Sequence, residues 1–267
     1  MAIHGRNAAV VSSLTPQSLA ASNPCLNCGT NVQLDFCPEC GQHALDPDPT
    51  LKEFLHEMAE EFIHWDGVVV STFRTLITKP GELTREYLAG RRVRFISPLR
   101  VYLVCSALYF FVSSVVPRAP IAVGTGLTAR ISGNTIEAMD VAAAIPRMMF
   151  VFVPLLALLL MRAFRQSRRR FPQHLAFALH VHAFLFLALT LMLVRRATSM
   201  ATIQVGVTAL GIGAILFYLA QAMRTVYSET LGGAIARTAL VTIGYFVAFG
   251  LAMVVIFGSV VLLRSSL

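Results

Sequence analysis

Past residue 98 the chain is a succession of long apolar runs, and these runs restrict the possible folds more than any other feature. A helix needs about 20 mostly apolar residues to cross a bilayer, and five runs approach or exceed that length: 98–117, 146–163, 174–194, 201–223 and 237–263. Only 13% of all residues are charged, against about 25% in ordinary soluble domains. Backbone groups inside lipid must be paired within the chain. The sequence therefore predicts an all-α polytopic membrane protein with about five transmembrane helices.

Basic residues divide unequally between the two ends of these predicted spans. The flanks on the side of the N-terminal region hold thirteen Lys or Arg residues, and the opposite flanks hold six. Because the more basic loops stay in the cytoplasm, we expect a multi-pass protein of the bacterial cytoplasmic (inner) membrane, with a cytosolic N-terminus and the C-terminus outside. The net charge of +8 follows from the same loops. No basic patch is interleaved with aromatic residues, so we expect no nucleic-acid partner.

Four cysteines stand in two Cys-x-x-Cys-Gly turns, CLNCG and CPECG, in the N-terminal region. Each turn points two thiolates at one metal, and the glycine after each pair permits a tight backbone turn. We expect a small zinc ribbon that holds one structural Zn²⁺ per chain through Cys25, Cys28, Cys37 and Cys40. Two disulfides, or a rubredoxin-type iron centre with similar turns, are the alternatives. His43, just past the cluster, is a surface residue, a neighbour of the metal site or a substitute ligand.

Composition divides the chain into four predicted segments. Residues 1–23 form a disordered lead-in, 24–45 the zinc ribbon, 46–97 cytosolic amphipathic helices and 98–267 the transmembrane helical body. In the third segment Thr50 or Asp48 can cap a helix, with Glu53 three residues after Thr50. Apolar residues then recur at helical spacing through Ile63, and the opposite face is mostly acidic. Two further helices are expected, from Val68 to Ile77 and from Glu82 to Leu88.

The chain resembles the bacterial membrane-protein family catalogued as domain of unknown function 3667. The resemblance is carried by CLNCG with CPECG, by HWDGVVVSTFRTLITKPGELTREYLAGRRVRFISPLRVYLVCSALYFF from His64, and by HLAFALHVHAFLFL from His174. It runs from about Cys25 to Val194 and implies a multi-pass protein with a zinc-ribbon head and no established activity. The family pattern usually has an acidic residue before the histidine of the third span, where this chain has Gln173.

The third predicted span carries His174, His180 and His182, and histidines inside a membrane are candidates for a functional site. At 100° per residue His180 and His182 lie about 160° apart around a helix, so they cannot both bind one ion. The other spans offer no histidine and no internal carboxylate. Haem ligation with a partner chain is one alternative, and hydrogen bonding to neighbouring helices or to a backbone carbonyl is the other.

Arginines at the ends of the spans could contact an anionic headgroup or an acidic partner. The candidates are Arg91, Arg92, Arg168, Arg169 and Arg170, with Arg224, Tyr227 and Glu229 in the loop before the fifth span. The alternative is that these arginines only orient the protein in the membrane.

No Walker loop, nucleophile elbow or catalytic pair of carboxylates is present. We therefore expect a scaffold or assembly factor without catalytic activity, with the lipid bilayer and a protein that binds the cytosolic head as its partners. An oligomer is possible. A small-molecule or lipid transporter, and a membrane enzyme or haem or metal site that uses the three histidines, are the alternatives.

Overall fold

The computed structural model of the chain describes residues 23–32, 36–43, 50–53, 68–116, 130–131, 134–135, 138–193 and 200–265. Within these ranges it describes only the backbone of residues 130–150 and of parts of the segment from 253 to the end. The predicted lead-in before residue 23 and the amphipathic segment 54–67 lie outside the described residues.

Besides the helical residues 51–53 and the short 3-10 helix Arg165–Ser167, the described residues form seven α-helices and four short strands. The helices are α1 Val68–Thr78, α2 Glu82–Leu88, α3 Pro98–Val115, α4 Ala138–Ala163, α5 Phe171–Met192, α6 Ala201–Tyr227 and α7 Leu231–Ser265. The strands β1 Asn23–Pro24 and β2 Asn31–Val32 pair antiparallel, as do β3 Arg130–Ile131 and β4 Asn134–Thr135. The second pair lies between the first two predicted spans.

Four of the described helices are long and apolar enough to cross a membrane, which indicates a membrane protein. They are α3, α5, α6 and the part of α7 from Leu231 to Ala252. The remaining predicted span, 146–163, falls on α4, whose part Val151–Ala163 is apolar but shorter than the four spans. A count of five spans and the orientation of the termini stay predictions.

Local sequence explains where several helices begin. Pro98 and Pro172 occupy the first turns of α3 and α5, where a missing N–H has no cost. Thr50 and Glu53 exchange the two hydrogen bonds of a capping box, which confirms the predicted helix start at residues 51–53. Between α1 and α2, Gly81 has a φ of 81°, and a Cβ there would lie 2.8 Å from the carbonyl oxygen of Ala222. Only glycine allows α2 to approach α6 this closely.

Helix α5 lies at the centre of the fold and contacts α1, α2, α3, α4 and α6. Within its apolar stretch of 18 residues, half of the residues are buried, against 11% in the corresponding stretch of α6 and 17% in that of α7. Small residues such as Ala176, Ala178 and Ala183, all fully buried, let neighbouring helices approach, as is common in membrane bundles. The outward faces of α6 and α7 carry large exposed apolar side chains, as lipid contact requires.

The short helices α1 and α2 share this core. Leu76 of α1, with Leu83 and Tyr87 of α2, belongs to the same buried cluster as residues of α3 to α7. The predicted boundary between residues 97 and 98 is therefore crossed by continuous packing, and the four-segment division stays a prediction.

Candidate metal centre and its docking site

The two Cys-x-x-Cys-Gly turns have the same backbone geometry. In the first, the Gly29 N–H donates to the Cys25 carbonyl at 2.8 Å, and the Cys25 N–H donates to Thr30 at 2.8 Å. In the second turn the equivalent bonds are Gly41 to Cys37 at 2.9 Å and Cys37 to Gln42 at 2.8 Å. Both glycines have positive φ, 81° and 69°, a conformation that side chains resist. The strand pair β1–β2 closes the first turn, and a bridge between Phe36 and His43 closes the second.

Folding brings all four predicted thiols together. Their sulfur atoms lie within 4.8 Å of one another, with Cys25 to Cys40 at 3.6 Å and Cys28 to Cys37 at 3.4 Å. Bonds of about 2.3 Å from sulfur to a tetrahedral metal would place the sulfurs about 3.8 Å apart, so the cluster fits a metal ion. The sulfurs are too far apart for disulfides, whose S–S bond is about 2.05 Å, and all five cysteines are free.

Backbone and hydroxyl donors aimed at the sulfurs favour the thiolate form that a metal requires. A hydrogen bond from the Thr30 hydroxyl lowers the pKa of Cys28 to about 6. Burial raises the pKa of Cys25, but hydrogen bonds from the backbone of Cys28 and Asn27 outweigh this and lower it. Burial raises the pKa of Cys40 to about 11, so the metal must displace a proton there.

His43 is not a member of this cluster. Its ring contacts the ring of Phe36 edge to face at 4.7 Å across the second turn, and its side chain is exposed. Among the residues that the structure describes, the four cysteines are the group of three or more metal-ligating side chains found close enough to share an ion. Cys105 lies apart from them and is fully buried in α3, as expected for a small apolar residue.

The cysteine head, residues 23–32 and 36–43, is docked on the turn between α2 and α3. The Gln42 amide donates to the Gly90 carbonyl at 2.7 Å, and its oxygen accepts from the Arg92 N–H at 3.0 Å. Gln42 is only 6% exposed. Leu26 of the first turn covers Gly90, where an added Cβ would lie 2.4 Å from a Leu26 methyl carbon. The cysteine cluster is therefore held against the turn that precedes the first predicted span.

An ion-pair network stiffens the docking turn. The buried Glu86 carboxylate accepts two 2.6 Å hydrogen bonds from Arg91 and one of 3.4 Å from Arg94. The Arg91 guanidinium holds the pKa of Glu86 below its usual range. Arg92 is largely buried and lies over the Tyr87 ring at 4.9 Å. The structure thus gives Arg91 and Arg92 contacts within the protein, and their predicted contact with headgroups stays a prediction.

The three histidines of α5 hydrogen bond to neighbouring elements and do not form a shared site. His174 Nδ1 lies 2.7 Å from the Tyr227 hydroxyl of α6, and His180 Nδ1 lies 2.9 Å from the Thr84 hydroxyl of α2. His182 uses both nitrogens, with Nδ1 at 2.8 Å from the Ala178 carbonyl and Nε2 at 2.9 Å from the Tyr245 hydroxyl. A carbonyl only accepts, so Nδ1 of His182 carries the proton and Tyr245 donates to Nε2.

The other predicted arginines occupy the turn from α4 to α5. Arg168 and Arg170 are exposed, whereas Arg169 is half-buried and donates to the Val226 carbonyl at 2.6 Å. Gln173 accepts a hydrogen bond of 3.1 Å from the Arg170 N–H and so caps the start of α5.

Sequence reasoning missed the residues that join the head to the body. Gln42 follows the second turn at the position that Thr30 holds in the first, and this equivalence was the available signal. Glu86 gave a second signal, because a carboxylate in an otherwise apolar helix face close to three arginines is expected to be paired.

Comparison with known proteins supports an uncharacterised family. The model of the family described as a protein of unknown function (DUF3667) matches residues 66–110. This segment contains α1, α2, the docking turn and most of α3, and it excludes the four clustered cysteines. No curated protein and no solved structure matches the chain.

Proposed function

We propose that this chain is a scaffold or assembly factor of the bacterial inner membrane, whose cytosolic zinc ribbon presents a binding surface to a protein partner. The observation that carries the proposal is the closed cluster of four thiols, held by Gln42 and Leu26 on the turn that precedes the first span.

Zinc is the metal that this donor set favours. A tetrahedral set of four thiolates is typical of structural zinc, with iron as the other ion that uses it. Four sulfurs leave no open position for water or substrate, so the metal is structural. A head of about twenty residues buries too little to fold alone, and zinc supplies about 10–16 kcal/mol in comparable peptides at neutral pH.

The docked head holds its exposed surface in one orientation, which favours binding of a partner over catalysis. Phe36 is 59% exposed and His43 lies against it edge to face, so the head carries an exposed aromatic pair. The segment that follows begins as a helix at residues 51–53 and carries Glu53, Glu57, Glu60 and Glu61 against one lysine, Lys52. A partner with an apolar contact flanked by basic groups fits this combination.

Transport, and an enzyme or haem site that uses the histidines, have no comparable support among the described residues. His182 has both nitrogens engaged, and His174 and His180 each hydrogen bond to a hydroxyl of another helix. A metal or haem ligand there would have to replace these bonds.

A photo-crosslinking amino acid at position 36 in cells tests the proposal. We expect one discrete adduct, which disappears in a Cys28→Ser background that lacks metal. The same amino acid at Val70, which is 76% exposed on α1, is the matched control and should not give that adduct. Absence of an adduct at position 36 in protein shown to carry zinc, or an unchanged adduct in the Cys28→Ser protein, would contradict the proposal.

A further inference from the structure

A cleft at the turn between α4 and α5 is lined by both apolar and basic side chains. It has a volume of about 350 Å³ and is lined by Met161, Arg162, Phe164, Arg165 and Arg169. This volume lies at the lower end of the range of small-molecule sites. Because α5 begins at Phe171 and is one of the helices long enough to span a membrane, the cleft lies where lipid headgroups would meet the protein.

The arginines of this turn have no acidic residue near them in the sequence. Residues 162–170 contain five arginines, and no Asp or Glu occurs from residue 141 to residue 228. The next acid, Glu229, is held by Arg237 at 2.6 Å. Arg237 also lies over the ring of Phe164 at 4.6 Å, which places that ion pair on the adjoining α6–α7 side of the cleft.

The guanidinium of Arg169 is held in place by the protein, and one of its nitrogens has no hydrogen-bond partner among the described residues. Its Nη2 donates to the Val226 carbonyl at 2.6 Å, and its guanidinium lies over the Tyr227 ring at 4.9 Å. Its Nη1 is buried and has no hydrogen-bond partner. Burial lowers the pKa of Arg169, which reflects a cost that a bound anion would offset.

We propose that this cleft binds the phosphodiester headgroup of an anionic phospholipid, with Arg169 as the fixed contact and Arg162 and Arg165 at the rim. Guanidinium groups suit phosphate oxygens in geometry and charge. A zwitterionic headgroup would bring an ammonium group that finds no free carboxylate among the described residues of this turn, so a net negative headgroup fits better. The proposal does not depend on the metal in the cysteine head.

Binding to the full-length protein in an uncharged detergent, followed by native mass spectrometry, tests this site. The probes are phosphatidylglycerol, phosphatidylcholine and inorganic phosphate. We expect phosphatidylglycerol to bind most tightly and Arg169→Gln to weaken it about tenfold or more, because a hydrogen bond to a charged group is lost. Inorganic phosphate at the same concentration should not displace the lipid.

Arg168→Gln is the matched control, because Arg168 is exposed in the same turn and does not line the cleft. It should change binding by less than about threefold, which is the scale expected for a screened surface charge. Arg165→Gln removes an exposed rim charge with little risk to folding and should also weaken binding more than Arg168→Gln. The assignment would be overturned if Arg168→Gln lost as much lipid affinity as the cleft variants. It would also be overturned if phosphatidylcholine bound as tightly as phosphatidylglycerol, or if inorganic phosphate displaced the lipid.

Discussion

Replacing Gln42 by alanine should release the cysteine head from the body while leaving the metal in place. The side chain of Gln42 makes the two hydrogen bonds to the Gly90 carbonyl and the Arg92 N–H. It is not a metal ligand, and the turn bond between the Cys37 N–H and residue 42 uses the backbone carbonyl, which alanine retains. The substitution therefore separates docking from metal binding.

The size of the effect follows from what happens to the two backbone groups at Gly90 and Arg92. If the head stayed docked, both groups would be left without partners at about 1–3 kcal/mol each. Undocking lets water reach them, so the loss is limited to the net value of two hydrogen bonds, about 1–3 kcal/mol. That energy shifts the ratio of docked to undocked head by a factor between about 5 and 150.

Hydrogen–deuterium exchange on the full-length protein measures this shift. In the Gln42→Ala variant the amides from Ala89 to Val93 should exchange faster, with Arg92 affected most, while zinc content stays at the wild-type level. Glu39→Ala, an exposed change in the same turn, should leave exchange in the docking turn unchanged. Unchanged exchange at Arg92 in Gln42→Ala, or loss of zinc from that variant, would refute the reasoning.

Three further predictions concern other parts of the molecule. Cys28→Ser should lose the metal and expose residues 25–41 to limited proteolysis, while membrane fractionation finds the helical body inserted; failure to insert would show that head and body fold as one unit. Glu86→Gln should lower stability by about 2 kcal/mol at pH 7, seen as a lower thermal midpoint. Because the folded pKa of Glu86 is lowered, its contribution is complete above the unfolded value of about 4.3 and fades as pH falls through the folded pKa, so the difference between wild type and variant should shrink in acid. Tyr245→Phe should cost about 1–3 kcal/mol by leaving Nε2 of His182 unpaired, and a loss no larger than that of an exposed substitution would contradict the assigned hydrogen bond.

The helical architecture was readable from the sequence because lipid imposes simple rules on it. Long apolar runs predicted α3, α5, α6 and α7, and the run 98–117 begins at the first residue of α3. The grouping of the four cysteines was equally readable, since the spacing of two Cys-x-x-Cys-Gly turns leaves little freedom in where the sulfurs point. Both the apolar runs and the cysteine spacing are short-range patterns, and the structure they specify depends little on contacts with distant residues.

Contacts between distant segments were not readable in the same way. The bond from Gln42 to Gly90 joins residues 48 apart in sequence, and His180 meets Thr84 across 96 residues. Neither pairing leaves a periodic pattern in a single sequence. For the three histidines the sequence left two roles open, hydrogen bonding and haem ligation. Their hydrogen-bond partners became known only from the structure, which places Tyr227, Tyr245 and Thr84 beside α5.

The metal content of the purified full-length protein tests the central claim most directly. Elemental analysis of wild type should give one zinc per chain, no iron and no second metal, and Cys28→Ser should give less than about a tenth of that zinc. Thiol titration of denatured wild-type protein in the presence of a chelator should then find all five cysteines reduced. Iron in place of zinc, no bound metal, or fewer free thiols would contradict the assignment of residues 25–40 as a structural zinc site.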